Sequence, residues 1–220
     1  MINENLATIK KSIPSHVTLV AVSKTKPNEL IKEAYSSGQR IFGENKAQEL
    51  KNKAEVLPKD IEWHFIGHLQ SNKVKYIAPY ASLVHSIDSL KLLKEVNKQA
   101  LKNKRIIDCL LQFHIATEES KFGLSLEEAA ELLTSNEFSS LKNIRVVGVM
   151  GMASFINSEE QVRKEFASLK HIFTQLKNSF FQQNETFKTI SMGMSGDYEL
   201  AIEEGSTMVR VGSAIFGIRN

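Results

Sequence analysis

The stretch LVAVSKTKP, residues 19–27, contains the pattern that decides the fold. Four apolar residues lead into Ser23 and Lys24, and Pro27 follows at a position that suits the first turn of a helix. A buried strand therefore ends at a lysine, and a helix begins directly after it. We interpret the stretch as one βα unit with a charged group at the carboxyl end of its strand.

The same unit recurs along the chain. Continuous hydrophobicity, without alternation, is typical of strands that are buried on both faces. Amphipathic segments lie between the apolar runs, the clearest at 159–177, which is preceded by the capping pair Ser158 and Gln161. The apolar runs are VTLVAVSK (17–24), RIFGEN (40–45), WHFIGH (63–68), LVHSID (83–88), IIDCLLQFHI (106–115), IRVVGVMGM (144–152), TISMGMS (189–195) and MVRVGSAIFG (208–217).

Eight strands that alternate with helices, after an additional helix at residues 2–11, predict an α/β fold: a single (β/α)₈ TIM barrel with an extra N-terminal helix. A doubly wound open sheet is the alternative, but it would need fewer strands or a chain reversal. The chain shows no linker, no low-complexity segment and no repeat beyond the βα unit. We therefore expect one domain, residues 1–220.

Composition limits the classes of function. The 28 basic and 25 acidic residues give a net charge of +3, and the charges are dispersed, unlike those of a dedicated nucleic-acid binder. The single cysteine, Cys109, excludes an internal disulfide and suits a reducing compartment. The N-terminus MINENLATIKK lacks the apolar core of a signal peptide, and no apolar run approaches about 18 residues. We expect a cytoplasmic protein with neither a membrane nor a nucleic acid as partner.

The predicted strands end on polar residues, at the rim where such barrels carry their chemistry. Alternation along the first strand places Val20, Val22 and Lys24 on one face. If the valines fill the interior, Lys24 points into the barrel mouth, where desolvation would favour a neutral amine that can attack an aldehyde. An outward Lys24 in a surface ion pair is equally compatible with this position.

The C-terminal part indicates a phosphate site. Gly193, Ser195 and Gly196 occupy a turn just before a helix that begins near Asp197, and Gly212-Ser213 forms a second turn after the last strand. Glycines let backbone amides approach a phosphate, and phosphate sites recur at the ends of strands 7 and 8 of these barrels. Asp197 disfavours a phosphate very close to that helix start and is also a candidate cap. Together with Lys24, this pattern suggests a phosphorylated aldehyde.

Arg210 shares a strand face with Gly212 and should also project inward, where it needs an acceptor. One candidate is a carboxylate such as that of Glu44. The other is an acceptor on a ligand, for which a pyridine nitrogen would serve. An arginine stays protonated, so it would keep that nitrogen unprotonated and weaken the ring as an electron sink.

Five motifs are distributed over nearly the whole chain: AVSKTKP (21–27), FGENKAQE (42–49), WHFIGHLQSNK (63–73), SKFG (120–123) and SMGMSGDYELAIEEGSTMVRVGSAIFG (191–217). In these motifs and in their order, the chain resembles the YggS/PROSC family of pyridoxal 5′-phosphate (PLP) homeostasis proteins. The resemblance implies a single-domain barrel related to the N-terminal domain of alanine racemase, a fold-type III PLP barrel.

The resemblance also implies roles for individual residues. By position, Lys24 resembles the lysine that holds PLP as an internal aldimine, and Arg210 resembles the partner of the pyridine nitrogen. Asn45 resembles a residue beside the cofactor, and Lys121 a family lysine near the mouth that could take part in PLP transfer. The residues that resemble phosphate contacts are Ser195, Gly212 and Ser213.

Other chemical interpretations are weaker. His64 and His68 suggest a metal, but residues i and i+4 of a strand lie about 13 Å apart, too far for one ion. The segment HLQSNKVK, residues 68–75, has basic residues without an aromatic platform for nucleic acid. No Ser-His-Asp triad or P-loop is visible.

Two classes of function remain. The favoured one is a PLP-binding protein of intracellular PLP (vitamin B6) homeostasis, which buffers the cofactor or delivers it to apo PLP-dependent enzymes and is not itself an enzyme. The alternative is a PLP-dependent amino-acid racemase or a Schiff-base aldolase. A racemase needs two opposed bases, and alanine racemase takes a catalytic tyrosine from a second domain. We expect no second domain, because the chain ends at Asn220 directly after the eighth strand, and we expect a monomer.

Overall fold

The computed structural model describes residues 1–117 and 122–217. Its eight strands are all parallel and close into a barrel in chain order, with β1 paired to both β2 and β8. The predicted (β/α)₈ TIM barrel is therefore confirmed. The strands are β1 (Thr18–Val22), β2 (Ile41–Glu44), β3 (Glu62–Phe65), β4 (Ala81–Ile87), β5 (Ile107–Gln112), β6 (Ile144–Met150), β7 (Thr189–Met194) and β8 (Met208–Val211).

Helices follow the strands and surround the barrel, and the predicted N-terminal helix precedes β1. The helices are α1 (Ile2–Ser12), α2 (Asn28–Ser36), α3 (Ala47–Val56), α4 (Val74–Ile77), α5 (Leu90–Lys102), α6 (Leu126–Thr134), α7 (Asn136–Ser139), α8 (Glu159–Phe180), α9 (Tyr198–Glu203) and α10 (Ser213–Phe216). A short 3₁₀ turn, Ser71–Lys73, leads into α4.

Local sequence signals account for the helix starts. At α8, the hydroxyl of Ser158 accepts a hydrogen bond from the backbone N–H of Gln161, and the apolar stripe that begins at Val162 is buried. At α6, Ser125 and Glu128 form a complete capping box. Such caps satisfy amides that the helix itself leaves without partners.

Two apolar layers stabilise the barrel. The larger layer lies between the strands and the surrounding helices and includes Phe42, Phe65 and Phe166. The smaller layer fills the barrel interior and is formed by Val20, Leu83, Leu110, Val147, Met150 and Met208. Because both faces of each strand are covered, the strands have continuous hydrophobic sequences.

The apolar run 208–217 divides into two elements at the Gly212-Ser213 turn that the sequence predicts. β8 ends at Val211, and residues Ser213–Phe216 form α10, which packs on α1. Gly212 has φ −123° and ψ −72°, a conformation that lies outside the strand and lets the chain change direction. Across the described ranges, no helix is long and apolar enough to cross a membrane.

Candidate functional site

A cavity of about 940 Å³ opens at the carboxyl ends of the strands. Its walls come from several strand ends and the loops that follow them, as expected for the functional face of a barrel. All six residues that the sequence suggested for a ligand site lie on its wall: Lys24, Asn45, Ser195, Arg210, Gly212 and Ser213. The fold thus brings together residues that are up to 189 positions apart in the sequence.

Lys24 faces the cavity because of strand alternation. Val20 belongs to the interior apolar layer, and Val22, two residues further along, lines the cavity together with Lys24. Ser23 points the other way, where its hydroxyl donates to Glu44 at 2.5 Å behind the strand ends. Lys24 therefore lines the cavity, as expected if Val20 fills the barrel interior.

The ends of β7 and β8 form a cradle of small residues. The hydroxyl of Ser195 accepts a hydrogen bond from the backbone N–H of Gly212 at 3.1 Å and joins the two strand ends. A Cβ at Gly212 would lie 3.2 Å from both Cβ and the carbonyl oxygen of Val22, so close packing on β1 favours glycine there. A Cβ at Gly196 would have no heavy atom of the described residues within 4 Å beyond its chain neighbours. The Gly196 backbone therefore faces open space.

Asp197 occupies the N-cap position of α9 without making a side-chain cap to that helix. Its carboxylate instead accepts the backbone N–H of Met194 at 2.5 Å. The carboxylate therefore stabilises the turn of residues 194–197 that presents Ser195 and Gly196.

Arg210 lies under the cavity and is 4% exposed. Its Nη1 donates to the carbonyl and the hydroxyl of Ser191 at 2.9 and 2.6 Å, and Nη2 donates to the carbonyl of Gly151 at 3.1 Å. These bonds use at most three of the five guanidinium N–H groups. Burial lowers the pKa of Arg210 to about 10, partly offset by Asp197, so the group remains protonated at neutral pH.

The suggested carboxylate partner of Arg210 is not Glu44. That side chain lies on the outer side of β2, where its Oε1 contacts Lys53 at 2.8 Å. Burial raises the pKa of Glu44 to about 7, against the opposing effect of Lys53. Asn45, the next residue, faces the cavity, and its buried Oδ1 has no hydrogen-bond partner among the described residues.

A chain of buried polar side chains continues from Arg210 across the barrel. The hydroxyl of Ser191 contacts Nδ1 of His85 at 3.0 Å, and Nε2 of His85 contacts Nδ1 of His64 at 3.1 Å. Burial lowers the pKa of His64 to about 3 and, together with His64 and Arg210, lowers the pKa of His85 well below its ordinary value. Both histidines are therefore neutral.

His85 is one of the polar residues in the predicted strand end 83–88, but it does not lie at the rim: it is fully buried beneath the cavity. The sequence did contain a signal for an inward His85. It lies two residues after Leu83 on β4, and residues two apart on a strand share a face, which for Leu83 is the barrel interior. Nothing in the sequence indicated that His64, His85 and Ser191 would meet, because they come from three separate strands.

The rim carries exposed aromatic and titratable groups. His68 lines the cavity, stacks on Phe122 with ring centroids 4.3 Å apart, and lies 3.7 Å from the Asp88 carboxylate. His64 bonds within the barrel interior, so the two histidines of WHFIGH occupy different environments. Phe155, on the loop after β6, is 94% exposed. Lys121, which the sequence suggested near the mouth, lies outside the described residues.

Comparison with known proteins shows the family to which the sequence is similar. The model of the family described as alanine racemase, N-terminal domain, matches residues 1–220. The pyridoxal phosphate homeostasis protein of Aquifex aeolicus strain VF5 is 41% identical over 203 residues, which cover 91% of this chain and 86% of that protein.

Solved structures agree in fold. PipY of Synechococcus elongatus PCC7942 without PLP superposes with a TM-score of 0.92 at 33% identity, covering 99% of this chain and 100% of that chain. The structure of PipY with PLP bound has a TM-score of 0.87 at 34% identity, with the same coverage.

Proposed function

This chain belongs to the alanine racemase N-terminal domain family and, within it, to the pyridoxal phosphate homeostasis proteins, and from that premise we propose that it binds PLP and acts in intracellular PLP homeostasis. The observation that carries the proposal is the convergence of Lys24, Asn45, Arg210 and the β7–β8 cradle on one cavity. The amine of Lys24, the buried cation of Arg210 and the small-residue turns of the cradle are chemically complementary to the aldehyde, the ring nitrogen and the phosphate of PLP, respectively.

The residues present fit the phosphate group. Gly212 is held closely against Val22, while the backbone of Gly196 faces open space. Ser195 and Ser213 are the sequence neighbours of these glycines, and both line the cavity. Backbone amides and hydroxyls in such turns are typical phosphate ligands, and each charge-assisted bond contributes about 1.5–3 kcal/mol. We assign the phosphate to this cradle.

The ring end of the cavity also fits. Bound PLP supplies an electrophilic aldehyde carbon, which a primary amine attacks with release of one water molecule. We assign that amine to Lys24. The buried Oδ1 of Asn45, which lacks a partner in the described part of the chain, supports its placement beside the cofactor.

Arg210 sets the chemistry that the site favours. Two or more of its N–H groups have no acceptor among the described residues, and the guanidinium stays protonated. It would donate to the pyridine nitrogen and hold it unprotonated. An unprotonated ring stabilises a carbanion at Cα poorly, which favours holding PLP over amino-acid turnover.

The position of the tyrosines supports a carrier over a racemase. Tyr35 and Tyr80 donate to Asp60 and Glu55 on the outer surface, and Tyr198 contacts Ser12. Within the described ranges, no tyrosine lines the cavity. We propose that the protein is a cytoplasmic monomer without amino-acid turnover of its own and that it delivers PLP to apo PLP-dependent enzymes.

Incubation with L-alanine in deuterated water separates the two classes. If the protein is a carrier, alanine incubated with the PLP-loaded protein should take up deuterium at Cα at less than about one turnover per second, which is near the low end of ordinary enzyme rates. Faster incorporation, with loss of chirality, would establish the racemase instead. Cleavage of a β-hydroxy amino acid would establish the aldolase.

A further inference from the structure

The turn that carries Lys24 has an unfavourable backbone conformation. The backbone N–H of Lys26 donates to the carbonyl of Ser23 at 3.0 Å and closes a four-residue turn. The residue after Lys24 is Thr25, with φ +65°. A β-branched residue in the left-handed region is an outlier, because such turns ordinarily take glycine or asparagine there. The conformation therefore requires support from outside the turn.

Helix α3 supplies that support. The backbone N–H of Thr25 donates to Oε1 of Glu49 at 2.6 Å. The ammonium of Lys53 donates to the same oxygen at 2.7 Å and to the carbonyl of Ser23 at 2.8 Å. Ser23 and Thr25 of this turn are thus bonded to two side chains that lie one helical turn apart on α3.

Glu44 completes this support. The third hydrogen bond of the Lys53 ammonium goes to Oε1 of Glu44 at 2.8 Å, so all three ammonium protons are used. Lys53 is only 6% exposed, and Glu44 is fully buried. A buried lysine of this kind is stable only with its full set of acceptors, so its position is tightly determined.

The opposite side of the turn is fixed as well. Nζ of Lys26 donates to the carbonyls of Phe216 and Gly217 at 3.1 and 3.0 Å, at the end of α10. The turn is therefore held between α3 and α10 while Lys24 faces the cavity.

We propose that Glu49 and Lys53 are positioning residues, which hold the turn of residues 23–26 in its strained form and thereby aim the amine of Lys24 at the aldehyde of PLP. The proposal rests on the proposed function. It assigns no contact with the cofactor to either residue, and it extends the PLP site to a helix outside the cavity wall.

The test compares two ligands that differ only at the aldehyde. PLP uses Lys24, whereas pyridoxine 5′-phosphate has an alcohol in place of the aldehyde and depends on the phosphate and ring contacts alone. The variant Glu49→Ala should bind PLP about tenfold more weakly and form the borohydride-trappable adduct correspondingly more slowly. Its affinity for pyridoxine 5′-phosphate should stay within about twofold of the wild type.

Matched variants separate positioning from general damage. Glu55→Ala removes a carboxylate from the same helix that pairs with Lys51 and Tyr80, so it should behave like the wild type with both ligands. Thr25→Gly in the Glu49→Ala background should restore most of the PLP affinity, because glycine adopts positive φ without support. Glu49→Gln retains an oxygen acceptor and should show a smaller loss, which provides a second variant if Glu49→Ala folds poorly.

A readout without cofactor comes from amide hydrogen exchange in the unliganded protein. The Thr25 amide should be protected in the wild type and in Glu55→Ala, and should lose that protection in Glu49→Ala. If Glu49→Ala leaves the ratio of the affinities for PLP and pyridoxine 5′-phosphate unchanged, whether or not both fall, the positioning role is overturned. Failure of the wild type to form any adduct would instead overturn the proposed function.

Discussion

Nη1 of Arg210 donates to the hydroxyl of Ser191 at 2.6 Å, and that hydroxyl also contacts His85 at 3.0 Å. The protonated arginine below the cavity is thus held by a neutral chain of polar groups inside the barrel. Because the histidines are neutral, the positive charge of this chain stays on the guanidinium, where a ring nitrogen in the cavity would meet it.

Replacement of Ser191 tests this arrangement. Ser191→Ala removes a partner from both Arg210 and His85 and leaves buried polar atoms unsatisfied, so the free energy of unfolding should fall by about 1–3 kcal/mol. Ser179→Ala, an exposed change on α8, should alter it by less than about 0.5 kcal/mol. Urea denaturation measures both. Equal effects would mean that the hydroxyl of Ser191 does not support its neighbours.

The buried histidines predict acid sensitivity. The pKa of His64 is lowered by burial to about 3, so the stability it contributes is complete above the unfolded-state pKa of about 6.5 and is lost as the pH falls toward the folded value. As the pH falls from about 6 to 4, the free energy of unfolding of His64→Asn should therefore rise relative to that of the wild type by about 1.4 kcal/mol for each pH unit.

The test compares the free energy of unfolding of His64→Asn with that of the wild type at each pH, because a second buried group, Glu44, also makes the stability of both proteins depend on pH. Burial raises the pKa of Glu44 to about 7, so this carboxyl favours the folded state below its unfolded-state pKa and loses that contribution as the pH rises to about 7. His16→Asn changes an exposed histidine and serves as the control for denaturation series at several pH values. Parallel curves for His64→Asn and the wild type would contradict the neutral, buried state of His64.

The phosphate cradle predicts ligand-specific effects. A side chain at residue 212 would meet Val22 at 3.2 Å, so Gly212→Val should displace the turn that faces the phosphate. The loss of one charge-assisted bond corresponds to about 1.5–3 kcal/mol, or about 10- to 150-fold in the affinity for PLP. The affinity for pyridoxal, which lacks the phosphate, should fall far less. Fluorescence titration of the variant and the wild type with each ligand measures both affinities. Equal losses for both ligands would refute this placement.

Much of the fold could be predicted because every strand carries its own signal. Eight apolar runs correspond to eight parallel strands, and the capping pair Ser158 and Gln161 marks the start of α8. The turn at Gly212-Ser213 could be predicted, but α10 could not, because the three apolar residues after Ser213 fit either a strand or a helical turn. Tertiary packing against α1 decides between them.

The candidate site was predictable to a similar extent. Alternation along β1 is a local property, so it placed Lys24 on the same face as Val20 and Val22. It did not show which face lines the barrel mouth, because that depends on how the barrel closes. The partners of Arg210 and the bonds from Glu44 to Lys53 were not predictable, because they depend on register between strands and on how α3 packs. The pairing of Glu49 with Lys53 at i and i+4 was visible in the sequence, but its contact with Thr25 was not.

The central claim is that Lys24 holds the aldehyde of PLP, and reduction with borohydride followed by peptide mapping tests it most directly. The wild-type protein incubated with PLP should carry one pyridoxyl group, on the peptide that contains Lys24. The variant Lys26→Ala should be labelled at the same site, and Lys24→Ala should lose that label. A pyridoxyl group on Lys26 or Lys121 of the wild-type protein, with Lys24 unmodified, would contradict the account.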